Sequence, residues 1–549
     1  MRPWLTHYGA GVPANINADA YNSLVDMLNE SMLKYADRPA FANMGKSITF
    51  KELDTASRHF GAYLYSRGLN VGDKVALMMP NCLQYPIALV GCLRAGLVVV
   101  NTNPLYTPRE MEHQFNDAEV KAIVIAENFA ANLEAVLTKT SIRTVLVTSL
   151  GEMLGVKGHI VNFAVRYIKR LVPKFNLQNT VSFKEAIDGG KKFELPNFKS
   201  NSNDTIFLQY TGGTTGVAKG AMLSNRNMVA NMLQMKAIIE PSFPSETACY
   251  TLSPLPLYHI FACTVNAFGL FSLGHCSVLV TNPRDLPSVI NEFNNYPIVL
   301  MTGVNTLFNA LANHPDFAKA DKSHLRVAVA GAMALQKAVN DRWKAVTGTD
   351  IVEGYGMTEA APVVSVNPLF GGRIGTIGLP IPSTEVQIAD EDGQPLPVGT
   401  VGELQVRGPQ VMKGYYNRPD ETLKTIRNGW LCTGDMGMMD EDGFFKIVDR
   451  LKDMIIVSGF NVYPNEIEDI ATQHPKVLEA AAVGIPDEHN GEVVKLFVVK
   501  KEASLTETEL KAFLREQLTP YKNPRIIVFK DELPKTNVGK VLRRMLRDS

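Results

Sequence analysis

The chain is poor in cysteine and carries no net charge. Its 549 residues include six cysteines, and none of them stands in a C-x-x-C pair. This scatter argues against a zinc site and a disulfide framework, and it favours a reducing compartment. The 55 basic and 55 acidic side chains balance one another. Because no overall charge attracts a polyanion, we expect no nucleic acid among the partners of this protein.

Long apolar runs are also missing. The N-terminal stretch "MRPWLTHYGAGVPANINADAY" contains no continuous apolar core of the kind found in signal peptides. The most apolar stretch, "YPIALVGCLRAGLVVV" from Tyr85, is interrupted by Arg94 and Gly96. It falls short of the ~20 residues that cross a bilayer. We therefore predict that it forms a buried helix running into a strand, and that the protein is cytoplasmic.

Length and pattern indicate several α/β cores. At roughly 100–200 residues per domain, 549 residues predict three or four cores. Short β-branched runs alternate with helical segments, a pattern that predicts parallel sheets flanked by helices. In such folds ligands collect where strands end in glycine-rich loops. The predicted strands include "KVALMM", "AIVIA", "TVLVT", "TIFLQY", "CSVLVT", "IVLMTG" and "VAVAGA".

The pattern changes in the last third of the chain. From about Gly375, turn-rich alternating segments such as "TEVQIADEDGQPLPVGTVGELQVRG" predict a more antiparallel β subdomain. Beyond about Arg450 follow "VLEAAAVGIP", "GEVVKLFVVKK", a charged helix starting near Thr506 and a basic tail. These last segments have their own strand and helix pattern and predict a small C-terminal domain.

A glycine-rich loop, "YTGGTTGVAKG" from Tyr210 to Gly220, follows the predicted strand "TIFLQ". The phosphate loop G-x-x-x-x-G-K-[ST] does not fit it, because Lys219 is followed by Gly220. Backbone amides, threonine hydroxyls and the lysine can still form a concave nest for an anion. The structural alternative is a flexible connector.

Three further motifs carry side chains suited to a nucleotide. In "VEGYGMTEAAP" the ring of Tyr355, the hydroxyl of Thr358 and the carboxylate of Glu359 suit stacking, phosphate contact and Mg²⁺ ligation. A solvated surface carboxylate is the alternative for Glu359. Asp435 in "WLCTGDMG" suits either the two hydroxyls of a ribose or an Asx-turn. His259 in "PLPLYHIFA" is of a type more often structural than catalytic.

The motifs taken together resemble one superfamily. "YTGGTTGVAKG", "PLYHIFA", "EGYGMTE", "LCTGD", "VDRLKDMIIVSGFNVYPNEIE" and "PKTNVGKVLRR" follow one another over nearly the whole chain. In this order they are similar to the adenylate-forming superfamily of acyl-CoA synthetases, nonribosomal-peptide adenylation domains and luciferases. "SGFNVYPNEIED", "NPLYTPREMEHQFNDAE" and "NTLFNAL" are most similar to bacterial long-chain fatty acid CoA ligases.

This resemblance implies a fold with a moving part. A large N-terminal α/β domain at 1–449, with flanked, mostly parallel sheets and a β subdomain at about 375–449, would bind ATP and the acid. A hinge at 450–453 would join it to a small mobile α+β C-terminal domain at 454–549, which would rotate to serve two successive reactions.

The implied activity is that of an ATP-dependent long-chain fatty acid–CoA ligase. ATP and a long-chain fatty acid would give acyl-AMP and pyrophosphate, CoA would then take the acyl group, and Mg²⁺ would be the cofactor. Alternatives are a fatty acyl-AMP ligase that serves a carrier protein and an aryl or medium-chain acyl-CoA synthetase. A non-catalytic lipid-binding protein at a membrane surface is a third, and the presence of both Lys540 and Glu359 argues against it.

The resemblance also implies roles for single residues. Lys540 would bridge the carboxylate and the α-phosphate, Glu359 would bind Mg²⁺, Thr358 would contact phosphate and His259 would orient the reactants. The implied ATP-binding residues are Tyr210, Thr211, Gly212, Gly213, Thr214, Thr215, Gly216, Val217, Ala218, Lys219, Gly220, Gly331, Ala332, Gly354, Tyr355, Gly356, Asp435 and Arg450. The implied hinge and CoA-path residues are Lys452, Ser458 and Gly459.

One segment favours a membrane surface. No acidic residue occurs from Met153 to Lys184, where basic residues interleave with apolar ones. Such a segment can lie on an anionic bilayer at the inner face of the cell membrane. The alternative is a helix packed on its own domain with a solvated basic face. A homodimer is a further hypothesis that the sequence leaves open.

Overall fold

The computed structural model describes residues 2–211, 218–487, 489–536 and 539–547. Two large sheets with helices, whose strands interleave along the chain, are followed by a smaller antiparallel sheet and a separate C-terminal sheet. The predicted α/β class, with a small α+β unit at the C-terminus, is confirmed. The domain and hinge boundaries stay predictions.

The first 380 residues hold the strands of the two large sheets. These are β1 Pro39–Asn43, β2 Lys46–Thr49, β3 Lys74–Met78, β4 Val98–Asn101, β5 Val120–Ala126, β6 Thr144–Thr148, β7 Val181–Ser182, β8 Thr205–Thr211, β9 Lys219–Ser224, β10 Tyr250–Ser253, β11 Cys276–Leu279, β12 Ile298–Gly303, β13 Val327–Ala330, β14 Ile351–Gly356, β15 Val363–Val366 and β16 Leu379–Pro380. Each of the seven runs predicted as strands forms one.

Helices connect these strands. They are α1 Leu24–Lys34, α2 Phe50–Ser66, α3 Gln84–Arg94, α4 Pro108–Asp117, α5 Ala130–Glu134, α6 Val156–Phe163, α7 Phe183–Gly190, α8 Asn225–Ile239, α9 Ile260–Ala262, α10 Leu270–Ser272, α11 Leu286–Asn295, α12 Asn305–Ala312, α13 Pro315–Lys319 and α14 Lys337–Thr347. Short 3₁₀-helices occupy Pro3–His7, Glu127–Phe129, Leu137–Lys139, Thr358–Ala360 and Pro520–Lys522, and π-helices occupy Ala164–Ile168 and Cys263–Gly269.

The two large sheets are mostly parallel. The nine-stranded sheet has the order β16-β15-β14-β13-β12-β10-β11-β1-β2, and the seven-stranded sheet has the order β7-β6-β5-β3-β4-β8-β9. Both contain six adjacent parallel strands, with antiparallel strands at their edges. One apolar cluster joins Val75 and Phe207 of one sheet to Leu252 and Met301 of the other. The sheets therefore share a core, and their strand ends can serve one site.

Local sequence signals explain several of these elements. Helices α2, α4 and α7 begin with complete capping boxes, of which Thr49 with Glu52 is one. Every residue of α3 is buried, and the helix ends where Gly96 takes a φ of 69°, a conformation that favours glycine. Buried β4 follows at once. The prediction of a buried helix running into a strand is confirmed.

The remaining residues form two smaller units. The antiparallel sheet consists of β17 Glu385–Ala389, β18 Gly402–Arg407, β19 Ile426–Arg427, β20 Trp430–Met439 and β21 Phe445–Arg450, with helix α15 Pro419–Thr425. The C-terminal unit consists of β22 Ile455–Val457, β23 Phe460–Val462, β24 Val477–Asp487, β25 Gly491–Lys500 and β26 Ile526–Lys530, with α16 Pro464–Gln473, α17 Glu507–Gln517 and α18 Arg543–Arg547. The C-terminal sheet has apolar clusters of its own.

An apolar helix face lies open on the surface. Side chains on α6, on the π-helix that continues it and just beyond are 53% to 85% exposed, namely Val156, Ile160, Phe163, Tyr167, Ile168 and Leu171. The opposite face is fixed: Asn162 accepts a bond of 2.8 Å from the Gly151 backbone N–H, and Arg166 forms an ion pair of 2.7 Å with buried Glu127. Among the described residues, no helix is long and apolar enough to span a bilayer.

Candidate active site

The carboxyl ends of β8, β12, β13 and β14 bring the sequence motifs together. Tyr210 and Thr211 end β8, whereas Gly354, Tyr355 and Gly356 end β14. The glycine-rich loop connects β8 to antiparallel β9, which contains Lys219 and Gly220. Six residues of this loop lie outside the described residues, namely Gly212, Gly213, Thr214, Thr215, Gly216 and Val217.

The turn after β13 requires a close backbone approach. A Cβ atom on Gly331 would lie 2.9 Å from Cε1 of the Phe261 ring, so a larger residue would displace that ring. The next residue, Ala332, has a φ of 67°, a left-handed conformation that is unusual for a residue with a side chain. Both residues were predicted to bind ATP, and the turn that they form packs against the ring of Phe261, two residues after His259.

Asp435 is the meeting point of three elements. It lies opposite Arg450 in the β20–β21 pairing, and the Arg450 Nε lies 3.3 Å from Asp435 Oδ1. The Tyr355 hydroxyl donates a bond of 2.6 Å to Asp435 Oδ2. Burial, reinforced by this carboxylate, raises the pKa of Tyr355 well above its ordinary value, so the phenol stays a donor. The three predicted nucleotide residues form one hydrogen-bonded group.

Glu359 and Lys219 flank one tyrosine. The Tyr415 hydroxyl donates a bond of 2.6 Å to Glu359 Oε1, and the Lys219 Nζ lies 4.8 Å from the centre of the same ring. Burial raises the pKa of the Glu359 carboxyl, while the bond from Tyr415 and the charge of Lys219 act against this rise. Lys219 also bonds Glu421 at 2.8 Å. Glu359 is therefore a buried carboxylate and not a surface one.

Lys540 enters this centre from the C-terminal unit. Its backbone N–H donates to Thr536 Oγ1 at 3.1 Å, and its carbonyl accepts from the Thr536 N–H at 2.7 Å, which closes a tight turn. Burial and the charge of Arg450 lower the pKa of Lys540 to about 7, whereas Asp435 acts to raise it. The Lys540 charge is thus coupled electrostatically to Arg450 and Asp435, two of the predicted ATP-binding residues.

His259 faces the same lysine. Burial, with a further contribution from the Lys540 charge, lowers the pKa of His259 to about 4. Its Nδ1 accepts the Phe261 backbone N–H at 3.3 Å. At neutral pH the imidazole is uncharged and a weak base, which favours an orienting role over proton transfer.

Contacts with the large sheets hold the C-terminal unit in this position. The Asn309 side chain donates to the Leu478 carbonyl at 3.3 Å. A Cβ atom on Gly539, next to Lys540, would lie 2.5 Å from Thr306 Oγ1. The turn that carries the lysine is thus packed directly on α12.

Ser458 and Gly459 lie apart from this centre. They form the exposed turn between β22 and β23, with φ values of 50° and 83°, and Ser458 Oγ donates to Asn490 Oδ1 at 2.8 Å. Lys452 lies in the turn after β21, where its carbonyl accepts a long bond of 3.5 Å from Arg547. Of the predicted C-terminal residues, the structure brings Lys540 to the site while Gly459 faces solvent.

Several site residues escaped the sequence analysis. Tyr415 and Glu421 contact Glu359 and Lys219, and Asp117 accepts a bond of 2.7 Å from the Tyr210 hydroxyl and another of 2.7 Å from Arg418. Tyr415, Arg418 and Glu421 lie in "KGYYNRPDET". The adjacent tyrosines beside charged residues in a turn are a sequence signal by which this part of the site could have been found. Asp117, at the end of an ordinary helix, gave none.

These features define an α/β protein with charged side chains gathered at the strand ends and a lysine added from a small C-terminal unit. The sequence profile described as AMP-binding enzyme matches residues 28–416, and the one described as AMP-binding enzyme C-terminal domain matches residues 466–540. The chain belongs to the AMP-binding enzyme family. The resemblance to adenylate-forming enzymes is confirmed.

Within this family the chain is similar to long-chain-fatty-acid–CoA ligases along its full length. It is 55% identical to the one of Escherichia coli O6:H1, over 99% of this chain and 98% of that protein. The ligase of Haemophilus influenzae is 48% identical with the same coverage, and that of Bacillus subtilis is 37% identical over 100% of this chain and 98% of the relative.

Solved structures share the fold. ATP-bound MatB from Rhodopseudomonas palustris has a TM-score of 0.82 and 28% identity, covering 96% of this chain and 99% of that one. The anthranilate CoA ligase AuaEII in complex with anthranoyl-AMP has a TM-score of 0.86 over 97% of this chain and 98% of that one. At 24% identity, the latter supports the fold alone.

Proposed function

We infer that this protein is an ATP-dependent, AMP-forming ligase that joins long-chain fatty acids to CoA. The observation that carries this conclusion is the 55% identity, over 99% of the chain, to long-chain-fatty-acid–CoA ligases. The electrostatics fit the chemistry: a half-buried lysine, which is influenced by Arg450, in turn acts on a neutral histidine, as expected where an acid and a phosphate would meet. ATP, a fatty acid and CoA are its substrates.

The proposed first step makes the acid reactive. A carboxylate oxygen attacks the α-phosphorus of ATP, the bond to the bridging oxygen breaks, and pyrophosphate leaves with the electron pair. Lys540 holds the attacking carboxylate and the α-phosphate, and Lys219 contacts the leaving phosphates from the end of the glycine-rich loop. Cations fixed in advance in a buried site stabilise the charge that gathers in the transition state. The CoA thiolate then displaces AMP from the acyl carbon.

Acid specificity tests the assignment. Acyl-CoA formation and pyrophosphate release across acids from acetate to oleate should give the highest kcat/KM for chains of about C12 to C18, because each buried methylene adds about 0.8 kcal/mol of transfer free energy. Far better use of short or aromatic acids would contradict the long-chain assignment. Release of acyl-AMP without transfer to CoA would instead favour an acyl-AMP ligase.

We propose that Glu359 supplies one oxygen to Mg²⁺ bound at the ATP phosphates. Mg²⁺ is typically held by one or two protein carboxylates together with substrate phosphates. A single buried carboxylate fits this pattern, and the described residues contain no cluster of three or more acidic, histidine or cysteine side chains that could hold a metal alone. When bound, the ion neutralises phosphate charge.

Glu359→Gln tests this ligand. The amide oxygen can still accept the Tyr415 hydroxyl, so we expect an unchanged melting temperature but adenylation slower by about 10²-fold, with weaker divalent-ion binding. Mn²⁺ paramagnetic resonance in the presence of a non-hydrolysable ATP analogue measures the binding separately from turnover. Wild-type affinity and rate in the variant would remove Glu359 from the ligands.

We propose further that the C-terminal unit serves the two steps in two orientations, about a hinge at 450–453. The described arrangement, with Lys540 inside and Gly459 outside, suits the first step. In the second, the turn with Gly459 would replace Lys540 and the pantetheine arm would pass the glycine. A Cβ atom added to Gly459 would meet no other atom within 4 Å in the described arrangement.

Substitutions at Lys540 and at Gly459 should impair different half-reactions. Lys540→Ala should slow acyl-AMP formation by about 10³-fold or more, yet still convert supplied acyl-AMP to acyl-CoA. Gly459→Leu should form acyl-AMP normally and transfer it poorly. Gly429→Leu is the matched control, because Gly429 has a similar φ of 79° and open space on a different hairpin. Parallel loss of both half-reactions in both variants would overturn the two-orientation proposal.

A second proposal concerns the exposed helical segment at 156–168 and the residues just after it. Its apolar face would enter an anionic bilayer, and Lys169, Arg170 and Lys174 at its C-terminal end would lie at the headgroups. Charge complementarity selects this occupant, since basic side chains near an anionic surface contribute about 1 kcal/mol each. Arg166 is not counted, because it already pairs with Glu127.

Neutralising these three basic residues tests the membrane surface. The triple variant Lys169→Gln, Arg170→Gln, Lys174→Gln should sediment less with anionic vesicles, with the largest loss at low salt where screening is weak. Activity on micellar substrate should stay unchanged. The control neutralises three exposed lysines elsewhere, Lys139, Lys191 and Lys319. Equal binding by wild type and both variants would contradict the proposal.

A further inference from the structure

The segment that leads to His259 has too few backbone N–H donors to be held by a regular strand ladder. Residues 253–258, "SPLPLY", run from the end of β10 to the histidine and contain two prolines. Proline has no N–H group, so such a segment cannot join a strand ladder regularly. Its buried carbonyl groups still need donors, because an unpaired buried backbone group is costly.

Buried side chains supply these donors. Asn81 Nδ2 donates to the carbonyl oxygens of Ser253 at 3.1 Å and Leu255 at 2.9 Å, and Asn81 Oδ1 accepts the Leu257 N–H at 2.8 Å. The Tyr85 hydroxyl lies 3.0 Å from the Leu257 carbonyl oxygen. Two side chains thus fix the segment at alternate residues.

A second pair completes the arrangement. The Tyr85 hydroxyl lies 2.5 Å from Asn101 Oδ1, Asn101 Nδ2 donates to Gln209 Oε1 at 2.9 Å, and Gln209 Nε2 donates to the Tyr258 carbonyl at 2.9 Å. Asn101 and Gln209 are register partners in the β4–β8 pairing. The four side chains, which we call the cradle, are 0% to 5% exposed.

The cradle joins the histidine to β8, the strand that precedes the glycine-rich loop. Gln209 precedes Tyr210 and Thr211 on β8, and it bonds the residue immediately before His259. A shift of this segment would therefore move the imidazole relative to both Lys540 and the end of β8. Small misplacements at a reacting centre have large effects on rate.

We propose that Asn81, Tyr85, Asn101 and Gln209 are positioning residues for the adenylation step, which act by fixing the main chain before His259. This inference rests on the proposed function and on the orienting role of the histidine. The cradle touches no substrate itself. Its effect on the reaction passes through the histidine.

Tyr85→Phe tests the proposal with the loss of one oxygen. In ATP–pyrophosphate exchange driven by a long-chain acid, we expect kcat to fall by about tenfold, with the KM for ATP within about twofold of wild type, because the nucleotide contacts remain. Gln209→Met, similar in length, should behave alike. Tyr63→Phe, at another buried tyrosine on α2, is the control and should keep the wild-type kcat.

A double-mutant cycle separates positioning from general stability. In a His259→Ala background, Tyr85→Phe should cause no further loss of kcat, because the side chain through which it acts is gone. An equal tenfold loss in both backgrounds, accompanied by a lower melting temperature, would overturn the proposal in favour of a merely structural network. If the wild type formed no acyl-AMP at all, the proposed function would fail instead.

Discussion

The partial burial of the Lys540 charge is the constraint on which the site depends. An ammonium group removed from water and placed beside Arg450 is unfavourable, and its pKa of about 7 expresses this cost. Asp435 offsets only part of it, since the same carboxylate already accepts the Tyr355 hydroxyl and pairs with Arg450. An anionic acid and phosphate bound beside Lys540 would favour its charged form.

The same constraint suits the proposed rotation of the unit that carries the lysine. A cation that is costly to bury can be withdrawn if its unit turns away from the rest of the protein. The C-terminal sheet has its own apolar clusters, while its contacts with the large sheets include single bonds such as Asn309 to Leu478. Within the unit, Arg543 pairs with half-buried Glu468 at 2.9 Å, which fixes the lysine-bearing tail to helix α16 of the same unit.

Much of the fold could be predicted from the sequence, because strands buried on both faces read as short β-branched runs. The glycine-rich loop could be assigned to a strand end for the same reason. The pairing of Asp435 with Arg450 could not, since antiparallel register across β20 and β21 depends on a bulge that no local pattern marks. Tyr415 and Asp117 reach the site through tertiary contacts alone.

His259 shows that the role of a residue cannot be predicted from its type alone. As a lone histidine beside prolines, it reads as structural, and its bond to the Phe261 N–H is indeed a helix cap. Its chemistry comes from its surroundings: burial and Lys540 keep the ring neutral, and a neutral ring can bond an oxygen without adding charge to an already cationic centre. A neutral imidazole gains little from long-range electrostatic attraction. The main chain that carries His259 must therefore hold the ring in position. The proline-containing segment before His259 has few N–H donors of its own, so side chains from other parts of the chain must fix it. This is why the buried amides of Asn81 and Gln209 and the phenol of Tyr85 bond to this segment.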